Sequence, residues 1–388
     1  MTPFSEYLHI FLIFLPLVFA LQLLTYKNIY SKPNRVLGSY MILLAFYYLL
    51  NRVAVTEIPV FMYLNAILVL PILLAFNPFY FLYVKSLTNE TFIFKFKDVA
   101  HYLPAITFSI FLIILSLISK DSEAEPYKTI YNLRVPIAVI IYYIQIIIYT
   151  ALMISLLQKH KKNLDQFFSY KENISLDWLW LFIIIYLLFT VFDASVYFTH
   201  IFDAYFKIVY WIFMTLFVTF LGYFGIKQSD IYVGRFRREL TIDNAPKGEN
   251  ASGNQETSEV IDPIFSKYEK SSLAEDMKQD ILNSIIRLME EEEAYKNPRL
   301  VVDDIAEKIH TNKKYISQVI NEMLNKNFYQ FVNEYRVNHV ITAMDNPKYD
   351  NYTLEAIGDE SGFNSRSSLI AAFKKFTGKT PSDFKKQR

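Results

Sequence analysis

Seven long apolar segments in the first 228 residues decide what this half of the chain can fold into. A helix needs about 20 apolar residues to cross the hydrocarbon core of a bilayer. The segments are separated by polar or charged gaps and lie near residues 8–25, 37–51, 59–84, 100–118, 136–157, 178–200 and 206–226. Helices of a large soluble core would need amphipathic partners to cover them, and this half contains none. We therefore predict a bundle of seven transmembrane helices, with the first segment retained because the N-terminus lacks a signal-peptide pattern.

The distribution of charge separates the chain into two parts. Charged residues are sparse up to about Lys227 and dense beyond it, although the net charge of the whole chain is only +1. The sequence contains no cysteine, which excludes disulfides and thiolate metal sites, and its nine glycines form no phosphate-binding loop. It also offers no metal-ligand cluster and no nucleophile–base motif. We therefore expect neither an enzyme nor a bound cofactor or metal.

Basic residues in the gaps predict the orientation of the bundle, since Lys and Arg concentrate in the cytoplasmic loops of membrane proteins. The gaps after the first, third and fifth segments contain ten Lys and Arg, whereas the gaps on the opposite side contain five. Arg235, Arg237 and Arg238 follow the seventh segment on the more basic side. We predict an N-terminus outside the cell and a cytoplasmic C-terminal region.

One acidic residue and two prolines stand out within the apolar segments. Asp193 falls in the sixth segment, where an ionisable side chain is a candidate functional group, and we predict that it senses a ligand or a state of the membrane. Pro71 and Pro78 should kink or interrupt the third segment, which would either open a cavity or only bend the helix.

A polar segment, TIDNAPKGENASGNQETSE, follows the last apolar one at Thr241 to Glu259. It is nearly free of large apolar residues and contains one Pro and two Gly, which predicts a disordered tether. Because such a tether cannot transmit a rigid helix rotation, we expect control through dimerisation, local concentration or proteolytic release.

Two similar helical patterns occupy the end of the chain. In VVDDIAEKIHTNKKYISQVINEML, a short helix at about 302–309 and a turn at His310–Asn312 precede a second helix. Ile316, Val319 and Ile320 form the apolar side of that second helix. Its predicted outward residues are Lys313, Lys314, Ser317, Gln318 and Asn321.

The second pattern, TLEAIGDESGFNSRSSLIAAFKKF, begins about 52 residues later with a short helix that Thr353 caps and Gly362 ends. Asn364 or Ser365 caps the helix that follows, whose outward residues are Arg366, Ser367, Lys374 and Lys375. From Asn364 onward the chain has seven basic residues and one acidic residue. Two such units suggest readers of successive major grooves of DNA, and the alternative is a helical bundle with ordinary surface lysines.

The closing stretch IGDESGFNSRSSLIAAFKKFTGKTPSDFKK resembles the end of AraC-type transcriptional regulators, in which Ile-Ala, Gly-Phe, a Ser-rich cap, Phe-Lys-Lys-x-x-Gly and Thr-Pro occur in this order. IAEKIHTNKKYISQVINEML and NFYQFVNEYRV resemble the first unit and the connecting helix of that family. The sequence departs from the family pattern at Gly358, which replaces Ala, at His310, which replaces a turn Gly, and at Leu369, which replaces an aromatic residue. The whole arrangement resembles bacterial membrane-embedded AraC-like regulators.

The resemblance implies sequence-specific binding to double-stranded DNA. It implies base and backbone contacts from Lys313, Lys314, Ser317, Gln318 and Asn321 in the first unit and from Arg366 and Ser367 in the second. Lys374 and Lys375 would contact phosphates, which position the protein without specifying sequence. Besides DNA and the lipid bilayer, an unknown small-molecule or membrane signal, RNA polymerase and a second copy of the chain are candidate partners.

We therefore expect an all-α protein of the bacterial inner membrane with three parts. These are a seven-span sensor region at 1–228, a juxtamembrane segment and disordered linker at 229–275, and an AraC-type DNA-binding domain at 276–388. The expected function is that of a one-component regulator of transcription. The alternative is a transporter or other membrane protein whose C-terminal tail binds protein instead of DNA.

Overall fold

The computed structural model describes residues 3–25, 31–56, 58–89, 92–118, 125–172, 174–199, 204–243 and 275–386. Within these ranges the regular secondary structure is helical, and one isolated β-bridge joins Phe168 to Val301. The chain forms two compact units. The first comprises Met1–Gln158 and Leu176–Ala245, and the second comprises Lys159–Ser175 and Pro246–Arg388. The all-α class predicted from the sequence is confirmed.

The helices of the N-terminal region are α1 (Pro3–Thr25), α2 (Ser31–Val53), α3 (Pro59–Thr88), α4 (Phe96–Val99), α5 (Leu103–Ile118), α6 (Glu125–Phe167), α7 (Asp177–Thr199) and α8 (Ala204–Asp243). Among the described residues, seven stretches of these helices are long and apolar enough to cross a membrane. The short α4 and the 3-10 turn that follows it form one such stretch with α5. This number agrees with the seven segments predicted from the sequence.

The first unit is apolar on both its inside and its outside. α2 packs against α1 and α3, α8 packs against α1, and α5 packs against α3. Leu12, Leu44 and Phe182 are fully buried in its core, yet large apolar side chains such as Leu21 and Ile147 lie exposed on its surface. Helices that are apolar all round are typical of membrane spans, because lipid is as apolar as the core.

α3 and α8 extend beyond the apolar segments from which they were predicted. α3 runs through Pro71 and Pro78 without interruption. α8 extends to Asp243, so the first three residues of the predicted tether, Thr241–Asp243, are helical. The remainder of that tether, residues 244–259, lies outside the described residues.

The helices of the C-terminal region are α9 (Glu275–Glu290), α10 (Val302–Lys308), α11 (Lys313–Leu324), α12 (Phe328–Met344), α13 (Leu354–Glu360), α14 (Arg366–Thr377) and α15 (Pro381–Lys386). α10 with α11, and α13 with α14, form the two helix-turn-helix units that the sequence predicts. α12 connects them and contributes to both hydrophobic cores. Its Phe328 and Val332 pack in the first core, whereas its Val337 and Val340 pack in the second.

Short polar contacts define where these helices begin. The Asn312 side chain accepts a hydrogen bond from the backbone N–H of Lys314 at 2.8 Å and caps α11. Of the two predicted caps of α14, Ser365 performs the role, since its Oγ accepts from the backbone N–H of Ser368 at 3.2 Å. Asn364 instead donates from Nδ2 to the carbonyl oxygen of Pro298 at 2.6 Å.

The three departures from the AraC-type pattern have structural explanations. His310 adopts a left-handed conformation, with φ of 52°, at the turn where the family pattern has Gly. Gly358 and Leu369 belong together, because a Cβ at position 358 would lie 2.8 Å from Cδ2 of Leu369. The leucine therefore fills the space that a methyl group at position 358 would need.

Candidate DNA-binding surface

The second recognition helix, α14, presents a basic face to its surroundings. Its buried side consists of Leu369, Ala372 and Phe373, which pack in the second core. The predicted contact residues, all of them exposed, are Arg366, Ser367, Lys374 and Lys375. Ser367 and Lys374 are seven residues, about two helical turns, apart, so they lie on the same side of the helix, and Arg366 and Lys375 lie beside them on the exposed face. This face is about 12 Å long between positions 366 and 374, since an α-helix rises about 1.5 Å per residue.

The first recognition helix, α11, holds its polar side chains in contacts within the domain. Lys313 Nζ lies 2.9 Å from Asp303 Oδ1 of α10 in an exposed ion pair. Gln318 Nε2 donates to Glu322 Oε1 at 2.9 Å, and Asn321 Nδ2 donates to the carbonyl oxygen of Ser317 at 2.6 Å. Lys314 lies exposed at the start of the helix.

One of the predicted outward residues of α11 is buried instead. Ser317 is only 6% exposed, because α11 packs against both α9 and α12 and its buried face is wider than the apolar pattern indicates. The prediction that Ser317 faces outward is therefore wrong. The other four, Lys313, Lys314, Gln318 and Asn321, remain at exposed or half-buried positions.

Arg336 of α12, which no motif in the sequence indicated, links the two helix-turn-helix units. Its side chain is 1% exposed, and its three nitrogens make five hydrogen bonds. Nε donates to the Tyr295 carbonyl at 2.8 Å. Nη1 donates to the Ser169 carbonyl at 3.1 Å and to Asn333 Oδ1 at 3.4 Å. Nη2 donates to Ser169 Oγ at 3.0 Å and to the Asn297 carbonyl at 2.7 Å. These bonds account for the full donor capacity of a guanidinium group.

The guanidinium of Arg336 remains charged at neutral pH despite its burial. Burial lowers the pKa of Arg336 to about 10, and the negative charge of Glu172 opposes this shift. A buried charge is tolerated when hydrogen bonds satisfy it, which the five bonds do here. Arg336 therefore acts as a rigid polar joint inside the C-terminal unit.

The turn of the second helix-turn-helix unit contacts Arg336 and the backbone at Tyr295. The Phe363 ring lies 5.9 Å from the Arg336 guanidinium carbon. Gly362, with φ of 90°, approaches so closely that a Cβ there would lie 2.4 Å from the carbonyl oxygen of Tyr295. Through these contacts and the Asn364 bond to Pro298, the second unit is fixed to the loop that precedes the first. A fixed arrangement is what two units need in order to enter successive major grooves.

A segment from the middle of the chain completes this joint. Residues 159–175, which comprise the end of α6 and most of its connection to α7, belong to the compact C-terminal unit, whereas the domain boundaries predicted from the sequence placed them in the sensor region. The backbone N–H and the Oγ of Ser169 both donate to the Leu300 carbonyl, at 3.2 and 2.7 Å. Asn333 Nδ2 donates to the Ser169 carbonyl at 2.9 Å, and Lys171 Nζ lies 4.5 Å from the centre of the Tyr329 ring.

The position of Arg336 in the sequence contains a signal that could have revealed it. Val332, Arg336 and Val340 are four residues apart and all buried, so the arginine occupies the apolar stripe of α12. A charged residue on such a stripe indicates a buried polar partner. The partner Ser169 lies 167 residues away, and no local pattern connects the two.

Comparison with known proteins agrees with this geometry. Residues 305–387 match the sequence profile of a helix-turn-helix domain family. The C-terminal region is an AraC-type helix-turn-helix domain. The matched residues include both recognition helices and the connecting helix α12.

Two bacterial regulators resemble the same part of the chain. The uncharacterized HTH-type transcriptional regulator YtdP of Bacillus subtilis is 25% identical over 130 residues, which are 34% of this chain and 16% of that protein. The Msm operon regulatory protein of Streptococcus mutans is 27% identical over 88 residues, which are 23% of this chain and 31% of that protein. The chain thus spans less than a third of the length of either relative. No solved structure matches the chain.

Proposed function

We propose that the chain is a membrane-bound, one-component regulator of transcription. Its C-terminal domain binds specific sites in double-stranded DNA, and a signal sensed by the seven-helix region controls that binding. The observation that carries the proposal is the exposed basic face of α14 in a helix-turn-helix domain, within the same chain as seven membrane-compatible helices. Input and output then need no separate partner protein.

The residues of α14 divide into two roles. Arg366 lies in the first turn of the helix, the part of a recognition helix that contacts base edges, and its planar guanidinium suits the O6 and N7 acceptors of guanine. Lys374 and Lys375 lie two turns further on and contact phosphates, which fix the position of the helix. In the first unit, Lys314, Gln318 and Asn321 supply additional contacts.

The same proposal assigns a topology. Ten of the basic residues between the spans lie on the side of the C-terminal domain and five lie on the other side. This distribution supports a cytoplasmic domain at the inner membrane of a bacterium, where the domain has access to DNA. Residues 229–275 link the two parts, and RNA polymerase and a second copy of the chain are the proposed protein partners.

The test uses the full chain reconstituted in lipid nanodiscs. Random duplex DNA is selected for binding, and the affinity for the selected sequence and for a scrambled duplex is then measured against salt concentration. We expect a defined motif that binds at least a thousandfold more tightly than the scrambled duplex. Equal and steeply salt-dependent affinity for both would indicate only attraction to phosphates and would contradict the proposal.

A further inference from the structure

The first unit encloses a cavity of about 180 Å³ that α2, α3, α6, α7 and α8 line. Its fifteen lining residues comprise seven tyrosines, three phenylalanines, four aliphatic residues and a single carboxylate, Asp193. Neither Lys, Arg nor His lines this cavity. Asp193, the candidate functional group of the sixth span, therefore lies in a largely aromatic cavity in which it is the one carboxylate among the lining residues.

Three of the seven tyrosines satisfy their hydroxyl groups through hydrogen bonds within the protein. The hydroxyl groups of Tyr40 and Tyr80 are hydrogen-bonded to each other, and the hydroxyl of Tyr186 donates to Asn77. These polar ends are thus satisfied within the protein. The aromatic faces carry partial negative charge, which attracts cations that have lost their hydration shell.

Asp193 lacks a cationic partner among the residues that line the cavity. Tyr143 donates to its Oδ2 at 3.4 Å, which is a long hydrogen bond. A carboxylate in such an apolar setting is costly unless a positive charge or several strong hydrogen bonds compensate it. The chemistry of the site is therefore complementary to a cation with an apolar body.

We propose that this cavity binds a small organic ammonium ion, with the ammonium group on Asp193 and its apolar body among the tyrosine and phenylalanine rings. A cavity of roughly 150 Å³ accommodates benzene, so one of this size suits a single ring or a short alkyl chain with a cationic group. The proposal deepens the sensing role in the proposed function by naming the class of ligand.

Three probes of the same shape but different charge test the proposal. They are 2-phenylethylammonium, 2-phenylethanol and phenylacetate, titrated calorimetrically into the full chain in nanodiscs without DNA. We expect the ammonium ion to bind, the alcohol to bind at least tenfold more weakly, and phenylacetate not to bind. Asp193→Asn should weaken ammonium binding at least tenfold and leave the alcohol unchanged. Asp177→Asn, an exposed acid at the start of the same helix, is the matched control and should bind like the wild type.

The outcomes distinguish ligand binding in the cavity from ligand control of DNA binding. Absence of saturable ammonium binding to the wild type would overturn the proposal. So would equal affinities of the ammonium ion and the alcohol for both the wild type and Asp193→Asn. A second arm measures how 2-phenylethylammonium changes the affinity for the selected DNA. Binding of the ammonium ion without any effect on DNA would contradict the proposed sensing function while leaving the ligand site intact.

A second inference rests on the segment 159–175 and is independent of the ligand. This segment is covalently continuous with α6 and α7, and in the C-terminal unit its Ser169 bonds to Arg336 and Leu300 at the joint between the two helix-turn-helix units. We infer that it is the route by which the membrane region sets the arrangement of the two recognition helices. Unlike the polar segment 241–259, from which we expect no transmission of a rigid rotation, this route ends in a buried, hydrogen-bonded contact.

The absence of cysteine from the chain allows a clean test. Phe168 and Val301 are paired across the antiparallel β-bridge. The Cα atoms of such pairs lie about 4.5–5.5 Å apart, which is within the range of a disulfide. A Phe168→Cys and Val301→Cys double variant in nanodiscs should cross-link on oxidation. Asn163→Trp, exposed in the same segment, is the control for Ser169→Trp, which should displace the segment.

We expect Ser169→Trp to change the affinity for the selected DNA at least fivefold and Asn163→Trp to leave it unchanged. The oxidised double variant should retain wild-type affinity, since the disulfide holds the observed contact. Wild-type affinity in a folded Ser169→Trp, judged by its thermal unfolding, would overturn the inference. Failure of the double variant to cross-link would also overturn it, because the observed contact would then not form.

Discussion

The two helix-turn-helix units have the same architecture and present different chemistry. Each has a seven-residue helix, a turn and a twelve-residue recognition helix. In the first unit Lys313 is paired with Asp303, Gln318 is bonded to Glu322, and Ser317 is buried. In the second unit the basic residues of α14 are exposed along one face. Recognition helices of the same length therefore need not contribute equally, and we expect the second unit to dominate the electrostatic attraction to DNA.

Acidic residues explain part of this difference. Asp304 stabilises the start of α10, where its Oδ2 accepts from the backbone N–H of Val301 at 3.0 Å, and negative charge near a helix N-terminus is favourable. The neighbouring Asp303 then lies within reach of Lys313. The supporting helix of the first unit therefore reduces the positive charge that its recognition helix offers.

The largest predicted effect concerns the joint that holds the two units together. Arg336→Ala removes five hydrogen bonds and leaves the Tyr295 carbonyl oxygen without this donor, whereas the Ser169 and Asn297 carbonyls each keep one other hydrogen bond. Hydrogen bonds to a charged group contribute about 1.5–3 kcal/mol each, so we expect a loss of about 3 kcal/mol or more in the free energy of unfolding of the C-terminal unit. Urea unfolding followed by tyrosine fluorescence measures this.

Arg336→Lys sharpens the same prediction. A lysine keeps the charge but has three donors in place of five, so we expect only partial rescue. Unfolding of Arg336→Ala at the wild-type urea concentration would show that the two units do not depend on this joint.

The next effect compares the phosphate contacts of the two units. Lys374→Ala with Lys375→Ala should decrease the slope of log affinity against log salt by about 1.8, since each phosphate contact contributes about 0.9. Lys313→Ala with Lys314→Ala is the matched double variant in the first unit and should decrease the slope by less, because Lys313 is already paired with Asp303. Equal decreases for both variants would remove the predicted asymmetry.

A smaller effect follows from releasing Lys313. Asp303→Asn removes the partner of an exposed ion pair, which contributes at most about 1 kcal/mol. We expect DNA affinity at low salt to rise by up to about fivefold with little change in unfolding. Asp359→Asn removes an exposed acid from α13 of the second unit and serves as the control. If the two substitutions raise affinity equally, net charge and not the Lys313 pair determines the effect.

The smallest predicted effect is a dependence of stability on pH. His339 Nδ1 lies 2.8 Å from Ser361 Oγ; burial and then the charge of Lys296 lower the pKa of His339, while Glu293 and Glu360 oppose this. The folded state thus favours the neutral imidazole, and the unfolded chain takes up a proton near pH 6.5. Stability from this group is fully present above that pH and declines as pH falls through it. Urea unfolding between pH 7.5 and 5.5 should show this decline, and His339→Gln should flatten it.

The periodic features of this protein could be predicted from the sequence. The length of the apolar segments predicted the seven membrane-compatible helices, and helical spacing predicted that Arg366 and Lys374 lie on the exposed face of α14. Spacing failed at Ser317, because packing of α11 against two neighbouring helices widened its buried face. The contact between Arg336 and Ser169 was not predictable, since the two residues are far apart in the chain. The charged residues that follow the fifth apolar segment also obscured the continuation of α6 to Phe167.

The most direct test compares one residue from each recognition helix on the selected DNA and on a scrambled duplex. Arg366→Ala should lose about 1–3 kcal/mol of affinity for the selected sequence and much less for the scrambled one, because a bidentate contact to guanine is lost. Gln318→Ala, in the first unit, should lose less than Arg366→Ala on the selected sequence. An equal loss on both duplexes for Arg366→Ala would contradict base reading by the second unit.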